Sequence, residues 1–514
     1  MLMPGISSTR SGRAKLNIVF SLLGQFVTLI CGIIVPRLLI GAFGSETYGA
    51  TASIAQFLAY ITLLEGGIGG VARAALYKPL AQNDSRAVSE ILAEIKKFFR
   101  IVAYVFFVYV LILAVSFKQI SGTEAIDGLE TFLLVLVISI STFAEYFIGI
   151  SYMVLLQAAQ KSYITTIVNM GSKIVNTIFI VILVLVKSDI IAVKLVSSCI
   201  YVVKPCLLWL YVKKNFTIVP IKASKTPYLK DKWAGFAQHI AYFLHSNTDI
   251  AVLTVLGNLK MVAVYSVYYM IVSQMQNVCT SFAAGMEAVF GDMLAKEEST
   301  ALHRTFCYYE TLISVISTIL FSVTVVMIVP FVRIYTAGIN DTNYIEPTFA
   351  VVLTLASYAY CIRSPYHGMV IAAGHFKQTQ AAAYGEAIIN LALSLLLVKP
   401  LGLLGVAVGT LAATVGRMLY YAIYLRQNIF KRKFDLFVKR EAVNIGVFAL
   451  ICFFGNIFTK AVGINTYFLW ICAAAVTMLI AAGVTVMGNY VFYKSECKEI
   501  IAKIRFDRHG ELHK

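Results

Sequence analysis

Apolar stretches of membrane-spanning length run through almost the whole chain and limit what it can fold into. The 514 residues are 59% hydrophobic and 13% charged, whereas soluble proteins are about one quarter charged. A run of about 18 or more apolar residues is long enough to cross a bilayer as a helix. The sequence therefore predicts an all-α, polytopic membrane protein and excludes a soluble enzyme or binding module.

The apolar stretches predict about 14 transmembrane helices. They are expected at 14–40, 46–72, 98–117, 130–157, 163–187, 190–212, 234–257, 261–290, 308–334, 347–373, 379–398, 401–425, 441–459 and 466–493. The longest polar intervals, 84–97, 213–232 and 426–440, have the length of loops. The first 13 residues lack the apolar core of a cleavable signal peptide, so we expect the first helix to be retained.

Lysine and arginine are unevenly distributed between the connections. They concentrate at both ends of the chain and in the even-numbered connections, whereas odd-numbered connections such as 118–130 contain few. Basic residues favour the cytoplasmic side of a membrane, so both termini are predicted to be cytoplasmic. The net charge of +17 thus largely reflects topology, and we expect no nucleic acid as a partner.

The sequence contains a weak internal repeat at a shift of roughly 214 residues. The shift places Ala159-Gln160-Lys161 on Ala373-Gly374-His375 and Asn176 on Asn390. It also places predicted helices 1–6 on helices 7–12, and an even number of helices gives both halves the same orientation. The predicted domains are an N-lobe (1–220, helices 1–6), a C-lobe (221–430, helices 7–12), and helices 13–14 with a cytoplasmic tail (431–514).

Polar residues recur every three to four positions on some of the predicted helices, and this spacing places them on one face. The residues predicted to form polar faces of a cavity are Asn17 and Gln25 in helix 1, Gln238 in helix 7, and Ser273 and Gln276 in helix 8. Two interpretations stay open, because such residues either line a hydrated cavity or form hydrogen bonds between packed helices.

Basic residues lie inside several predicted spans, where each costs about 2.5–3.5 kcal/mol on insertion scales and therefore needs a partner or water. Lys173, Lys204, Arg363 and Arg417 are deep in their spans, and Arg37 is near an end. Candidate acidic partners are Glu65, Glu145, Asp249 and Glu386. Because basic groups outnumber acidic ones, we predict that the five basic residues bind an anionic substrate such as a pyrophosphate or an acidic sugar.

A second possible function of the acidic residues is cation coupling. Asp249 follows His245 by four residues on the same helix face, and this pair, together with Glu65, forms a candidate H⁺ or Na⁺ site. The nine cysteines form no CxxC pair, so we expect neither a zinc site nor another cofactor. No nucleophile–base constellation or phosphate loop is present, which favours a transporter over an enzyme.

Short motifs in the first two spans resemble those of a known family. Pro36-Arg37-Leu38-Leu39, followed by Phe43-Gly44 and Tyr48-Gly49, is similar to the first hairpin of polysaccharide-type (Wzx-like) oligosaccharide-lipid flippases. These belong to the multidrug/oligosaccharidyl-lipid/polysaccharide (MOP) exporter superfamily, whose fold is MATE-like. The stretch with Asp249, Leu256-Gly257 and Val264-Tyr265-Ser266 resembles the start of that family's second half.

This resemblance implies two six-helix lobes in a V around a central cavity, with two additional C-terminal helices. It also implies alternating-access translocation of undecaprenyl-pyrophosphate-linked oligosaccharide across the bacterial inner membrane, for O-antigen, capsule or exopolysaccharide. The expected partners are this glycolipid, membrane lipids and polysaccharide assembly proteins.

Related functions stay open to different degrees. The first helix lacks the Arg-Asp pair expected of peptidoglycan lipid II flippases, which disfavours that relative. A cation-coupled drug or metabolite exporter of the same fold is the main alternative, since Asp249 provides an acidic residue in helix 7. A membrane polysaccharide polymerase or acyltransferase is less favoured, because the predicted outer loops are short.

Overall fold

The computed structural model describes residues 10–65, 68–124, 126–219, 236–281, 283–430 and 434–493, and within these ranges the chain is helical without β-strands. The α-helices are α1 (Arg10–Ala59), α2 (Ile68–Ala81), α3 (Ser85–Ser121), α4 (Gly128–Ala144), α5 (Ile150–Ala158), α6 (Ser162–Leu185), α7 (Ile190–Asn215), α8 (Phe236–Leu256), α9 (Leu259–Ser281), α10 (Ala283–Ala295), α11 (Ser299–Tyr335), α12 (Pro347–Ala372), α13 (Phe376–Leu401), α14 (Leu403–Leu425), α15 (Asp435–Val462) and α16 (Tyr467–Phe492). In the described part of the chain, ten helical segments are long and apolar enough to cross a membrane. The prediction of an all-α, multi-pass membrane protein is confirmed.

Each predicted span coincides with one helix or with consecutive helical segments. The second span is not one regular helix, because α1 ends at Ala59, Tyr60–Glu65 form a 3₁₀ turn, and α2 begins at Ile68. The number of bilayer crossings and the side on which the termini lie stay predictions.

The interval 84–97 is not a loop but the first turns of α3. Its apolar side chains follow helical spacing, so that Val88, Ile91 and Ile95 are buried although charged residues separate them. The Asp84 carboxylate caps the helix by accepting a hydrogen bond from the Ala87 amide at 2.9 Å. Counting charges identified the polarity of this interval but missed its amphipathic pattern.

The internal repeat is confirmed by matching helix boundaries. α3 and α11 both have 37 residues, and a shift of 214 takes Ser85 to Ser299 and Ser121 to Tyr335. The same shift relates the turn after α5 to the turn after α12. Both turns have left-handed residues at the equivalent positions, Gln160 and Gly374, and both are closed by a hydrogen bond from the next amide to a carbonyl five residues earlier.

Two glycines, Gly44 and Gly405, have clear structural roles. Gly44 adopts φ 82° and interrupts the helical geometry of α1, separating the first two predicted spans without a loop. Gly405 on α14 approaches α13 so closely that a Cβ atom would lie 2.2 Å from the Leu397 carbonyl oxygen. The small residues of α14 therefore allow direct backbone contact with α13.

The helices form two compact units. Unit 1 comprises the described residues of Met1–Phe243 and Leu253–Ala263, and unit 2 comprises those of Leu244–Val252 and Val264–Lys514. Buried apolar side chains of α2–α7 form the core of unit 1, with Phe99, Phe106 and Leu155 near its centre. In unit 2, α11 packs against α12, α15 and α16. The predicted domain boundaries at 220 and 430 stay predictions.

Candidate functional site

Unit 2 contains a buried cluster of two arginines and one glutamate. Arg363 lies on α12, Glu386 on α13 and Arg417 on α14, and the close packing of α13 and α14 brings the last two together. One carboxylate oxygen of Glu386 accepts from Arg363 Nη1, and the other accepts from Arg417 Nη1. The side chains of Arg363, Glu386 and Arg417 are 5%, 0% and 6% exposed, respectively. The formal charge of this trio is therefore positive even after pairing.

Aromatic residues hold both guanidinium groups in place. Arg417 Nη2 donates to the Tyr421 hydroxyl at 2.8 Å, and the Arg363 guanidinium lies 4.6 Å from the ring centroid of Tyr360. The Nε–H of Arg417 is buried and has no hydrogen-bond acceptor in the described part of the chain. A buried donor without an acceptor is costly, so this guanidinium retains capacity for an additional anionic oxygen.

Unit 1 contains a second cluster with the same ratio of bases to acids. Lys204 on α7 contacts Glu145 with 2.8 Å between Nζ and Oε2. Lys173 on α6 donates to Thr28 Oγ1 at 2.7 Å and interacts electrostatically with Lys204. The side chains of Lys204 and Glu145 are 18% and 22% exposed, so this cluster is more accessible than the one in unit 2.

The two clusters occupy related positions in the repeat. The shift of 214 residues places Lys173 beside Glu386 and Lys204 beside Arg417, in each case one residue off. Glu145 and Arg363 lie on the matching α4–α5 segment and α12. Each unit thus carries two basic groups and one acidic group on three equivalent helices.

Asp249 on α8 is the centre of a separate polar site in unit 2. Its Oδ2 accepts from the Tyr265 hydroxyl at 2.8 Å and from Thr410 Oγ1 at 2.9 Å. Its Oδ1 is buried next to the Asn390 side chain, which interacts with the carboxylate. Ser394 donates to the Asn390 amide oxygen at 3.0 Å. Three polar side chains thus surround one carboxylate within a helical bundle, and Ser394 positions one of them.

Other predicted polar residues mainly contact neighbouring backbone or side chains. Asn17 Nδ2 donates to the Gln160 carbonyl at 3.2 Å, and Asn17 Oδ1 accepts from the Tyr163 amide at 2.8 Å. This is the helix-packing alternative that the sequence left open. Ser273 donates to the Met270 carbonyl of its own helix at 3.2 Å.

The remaining predicted positions lie on α1, α8, α9 and the 3₁₀ turn after α1. Glu65 accepts a hydrogen bond from the Tyr146 hydroxyl. Gln25, Arg37 and Gln276 are half-buried on α1 and α9. The side chains of Gln238 and His245 lie outside the described residues.

The sequence missed one buried ion pair. Arg440 Nη1 on α15 contacts Glu310 Oε2 on α11, and the Tyr366 hydroxyl of α12 donates to Glu310 Oε1. Arg440 fell in a predicted loop, and Glu310 near the start of a span. The signal available was that Arg440 directly precedes an apolar helix whose first buried face includes Phe437.

The arrangement suits the binding of ions more than covalent chemistry. Within the described ranges, no three His, Cys, Asp or Glu side chains converge as a transition-metal site requires. The oxygens at Asp249 are of the type that H⁺ or an alkali cation uses in transporters. The arginine and lysine clusters provide the donors that carboxylate and phosphate oxygens prefer.

Comparisons with known proteins identify the fold. No protein-family model and no curated protein matches the sequence. The structure is similar to an inward closed conformation of the lipid II flippase MurJ, with TM-score 0.67, 16% identity, and coverage of 93% of this chain and 99% of that chain. It is also similar to an inward-facing multidrug resistance MATE family transporter of the MOP superfamily, with TM-score 0.63 and 14% identity. This similarity covers 79% of this chain and 95% of that chain. The chain therefore has a MurJ- and MATE-like helical fold.

Proposed function

We propose that this protein is a flippase for undecaprenyl-pyrophosphate-linked oligosaccharide in the bacterial inner membrane. The observation that carries the proposal is the buried Arg363–Glu386–Arg417 cluster, which keeps a positive charge inside the helical bundle and a guanidinium N–H without an acceptor among the described residues. Charge-assisted, bidentate contacts to phosphate oxygens are the role for which arginine is best suited. The MOP fold and its lipid-flipping member MurJ support the same class of activity.

Glu386 acts in this proposal as an internal counter-anion. When a pyrophosphate or acidic sugar enters, its oxygens replace one or both carboxylate contacts to Arg363 and Arg417. The lysine cluster around Lys173 and Lys204 offers a second cationic position in unit 1. An alternating-access change transfers the polar head between leaflets, while the polyprenyl chain stays in lipid.

Neutralising either arginine tests the proposal. Arg363→Gln or Arg417→Gln is expected to lower glycolipid translocation by about tenfold or more, because a charged hydrogen bond contributes roughly 1.5–3 kcal/mol. Membrane abundance should be unchanged, since Glu386 retains one arginine partner. The measurement is the amount of lipid-linked glycan in each leaflet, in cells whose own copy is deleted and replaced by each variant.

Lys399→Gln is the matched control, because Lys399 is an exposed basic residue at the end of α13. Cytoplasmic-leaflet accumulation with both arginine variants but not with the control supports the proposal. Normal translocation in both arginine variants at normal abundance contradicts it. Equal losses of translocation and abundance would assign the arginines to folding instead.

A cation-coupled exporter of the same fold is the second candidate, favoured by the buried Asp249. Deletion of the protein would then leave glycan lipids normal and make cells sensitive to toxic cations. Outer-leaflet accumulation of unpolymerised units would instead indicate a polymerase.

We also propose that Asp249 couples transport to H⁺ or Na⁺. Its carboxylate is buried inside the helical bundle, and a bound proton or cation would compensate its charge. The adjacent Tyr265 and Thr410 hydroxyls supply further oxygens.

Replacing the carboxylate tests the coupling. Asp249→Asn keeps the shape of the side chain but removes its charge. Gradient-driven glycolipid translocation in proteoliposomes is therefore expected to fall by about tenfold or more, the effect expected for loss of a charged hydrogen bond. The rate should be measured under imposed H⁺ and Na⁺ gradients separately. Asp292→Asn is the control, because Asp292 pairs with Lys296 on the surface. A variant that retains full gradient dependence would exclude Asp249 from coupling.

A further inference from the structure

A pocket in unit 1 has two basic side chains in its lining and no acidic one among the described residues that form it. It lies at the predicted cytoplasmic end, where the start of α1, the α2–α3 turn, the α5–α6 turn and the chain after α7 meet. Its volume is about 360 Å³, within the roughly 300–1,000 Å³ range of small-ligand sites. The polar lining residues are Arg13, Asn83, Ser85, Lys161, Asn215 and Thr217.

The two cations are held in place by their surroundings. Arg13 Nη1 donates to the Ala159 carbonyl at 3.3 Å, and Lys161 Nζ lies 4.8 Å from the ring centroid of Phe216. The segment carrying Phe216 is tied to α3, because the Val219 amide donates to Ser89 Oγ at 2.9 Å. The pocket wall is therefore formed by contacts within unit 1.

The electrostatics favour an anion at this place. Burial lowers the pKa of Lys161, and the nearby positive charge of Arg13 lowers it further. Asp84, which lies between two lining residues, directs its carboxylate to the Ala87 amide and is not part of the lining. An anion between the two cations would compensate their mutual repulsion.

We propose that this pocket binds a phosphoryl anion between Arg13 and Lys161. The hydroxyl groups of Ser85 and Thr217 supply further donors for phosphate oxygens. The phosphoryl group belongs either to a soluble cytoplasmic compound or to the headgroup of an anionic phospholipid. The proposal is independent of transport, because none of these residues lies in the buried charge clusters.

The test uses the purified full chain in phosphatidylcholine nanodiscs. An amine-reactive reagent is applied at increasing concentrations of inorganic pyrophosphate, and modification of individual lysines is measured by peptide mass spectrometry. We expect pyrophosphate to protect Lys161 saturably. Lys213, an exposed lysine beside Trp209 outside the pocket lining, should show no protection.

Variants and lipid composition identify the source of the anion. Arg13→Gln should weaken pyrophosphate binding by about tenfold or more, as expected for loss of a charged hydrogen bond, whereas Arg13→Lys and Lys213→Gln should bind nearly normally. Protection that instead appears on adding phosphatidylglycerol, with no further effect of pyrophosphate, would support a lipid headgroup. Lys161 modification that responds to neither anion overturns the proposal. Wild-type affinity in folded Arg13→Gln protein also overturns it.

Discussion

Glu386→Ala is expected to reduce the free energy of unfolding by about 3–5 kcal/mol, because breaking a buried ion pair leaves an uncompensated charge. Here two guanidinium groups, each about one-twentieth exposed, would lose their common carboxylate and repel one another. The measurement is the stability of the purified protein in a graded denaturing-detergent titration, with the same lipid throughout.

Single arginine replacements provide the comparison. Arg363→Gln and Arg417→Gln each leave a one-to-one pair with Glu386, so their stability loss should be clearly smaller than that of Glu386→Ala. If all three variants are destabilised equally, the trio does not behave as one carboxylate shared by two cations.

Glu310→Gln and Arg440→Gln should each destabilise unit 2 by about 3–5 kcal/mol, since each removes one charge of a buried ion pair. Arg440 and Glu310 are only 4% and 2% exposed, and the pair connects α15 to α11. The double variant should be more stable than the sum of the single losses predicts, by about 1–3 kcal/mol, as is typical for groups in contact.

Removing the Tyr366 hydroxyl should have a smaller effect on stability, which serves as a reference for the loss of a single hydrogen bond. Tyr366→Phe removes one hydrogen bond to Glu310 and should cost about 1 kcal/mol. The same denaturing-detergent titration measures all four proteins. Strict additivity of Glu310→Gln and Arg440→Gln would show that the two groups do not interact energetically.

Hydropathy and spacing were enough to predict the membrane helices and the duplication. Both signals can be read from neighbouring or regularly spaced residues, because a membrane helix requires a run of consecutive apolar residues. The repeat was detectable because Gln160 and Gly374 end equivalent helices in the same turn, which restricts the residues near them. Basic and acidic residues in the spans also indicated the right candidates, since Glu145 and Glu386 do pair with Lys204, Arg363 and Arg417.

Which side chains meet was not readable from the sequence. Glu310 and Arg440 are 130 positions apart, and each lies at the edge of a predicted span, where a charge would ordinarily reach solvent. Only the packing of α11 against α15 buries them. Asp249 was singled out as acidic, but its partners Tyr265 and Thr410 come from two other helices. Such contacts depend on helix rotation, which hydropathy does not determine.

The unequal composition of the two matching clusters has a consequence for how each one recognises an anion. A symmetric dimer of single-length chains must carry the same residues in both halves, whereas two repeats within one chain can differ. One half here carries lysines, whose ammonium groups act as compact point charges, and the other carries arginines, whose planar guanidinium groups match pairs of oxygens. The molecule thus combines one positive centre without a fixed geometry with one that is shaped for carboxylate or phosphate oxygens.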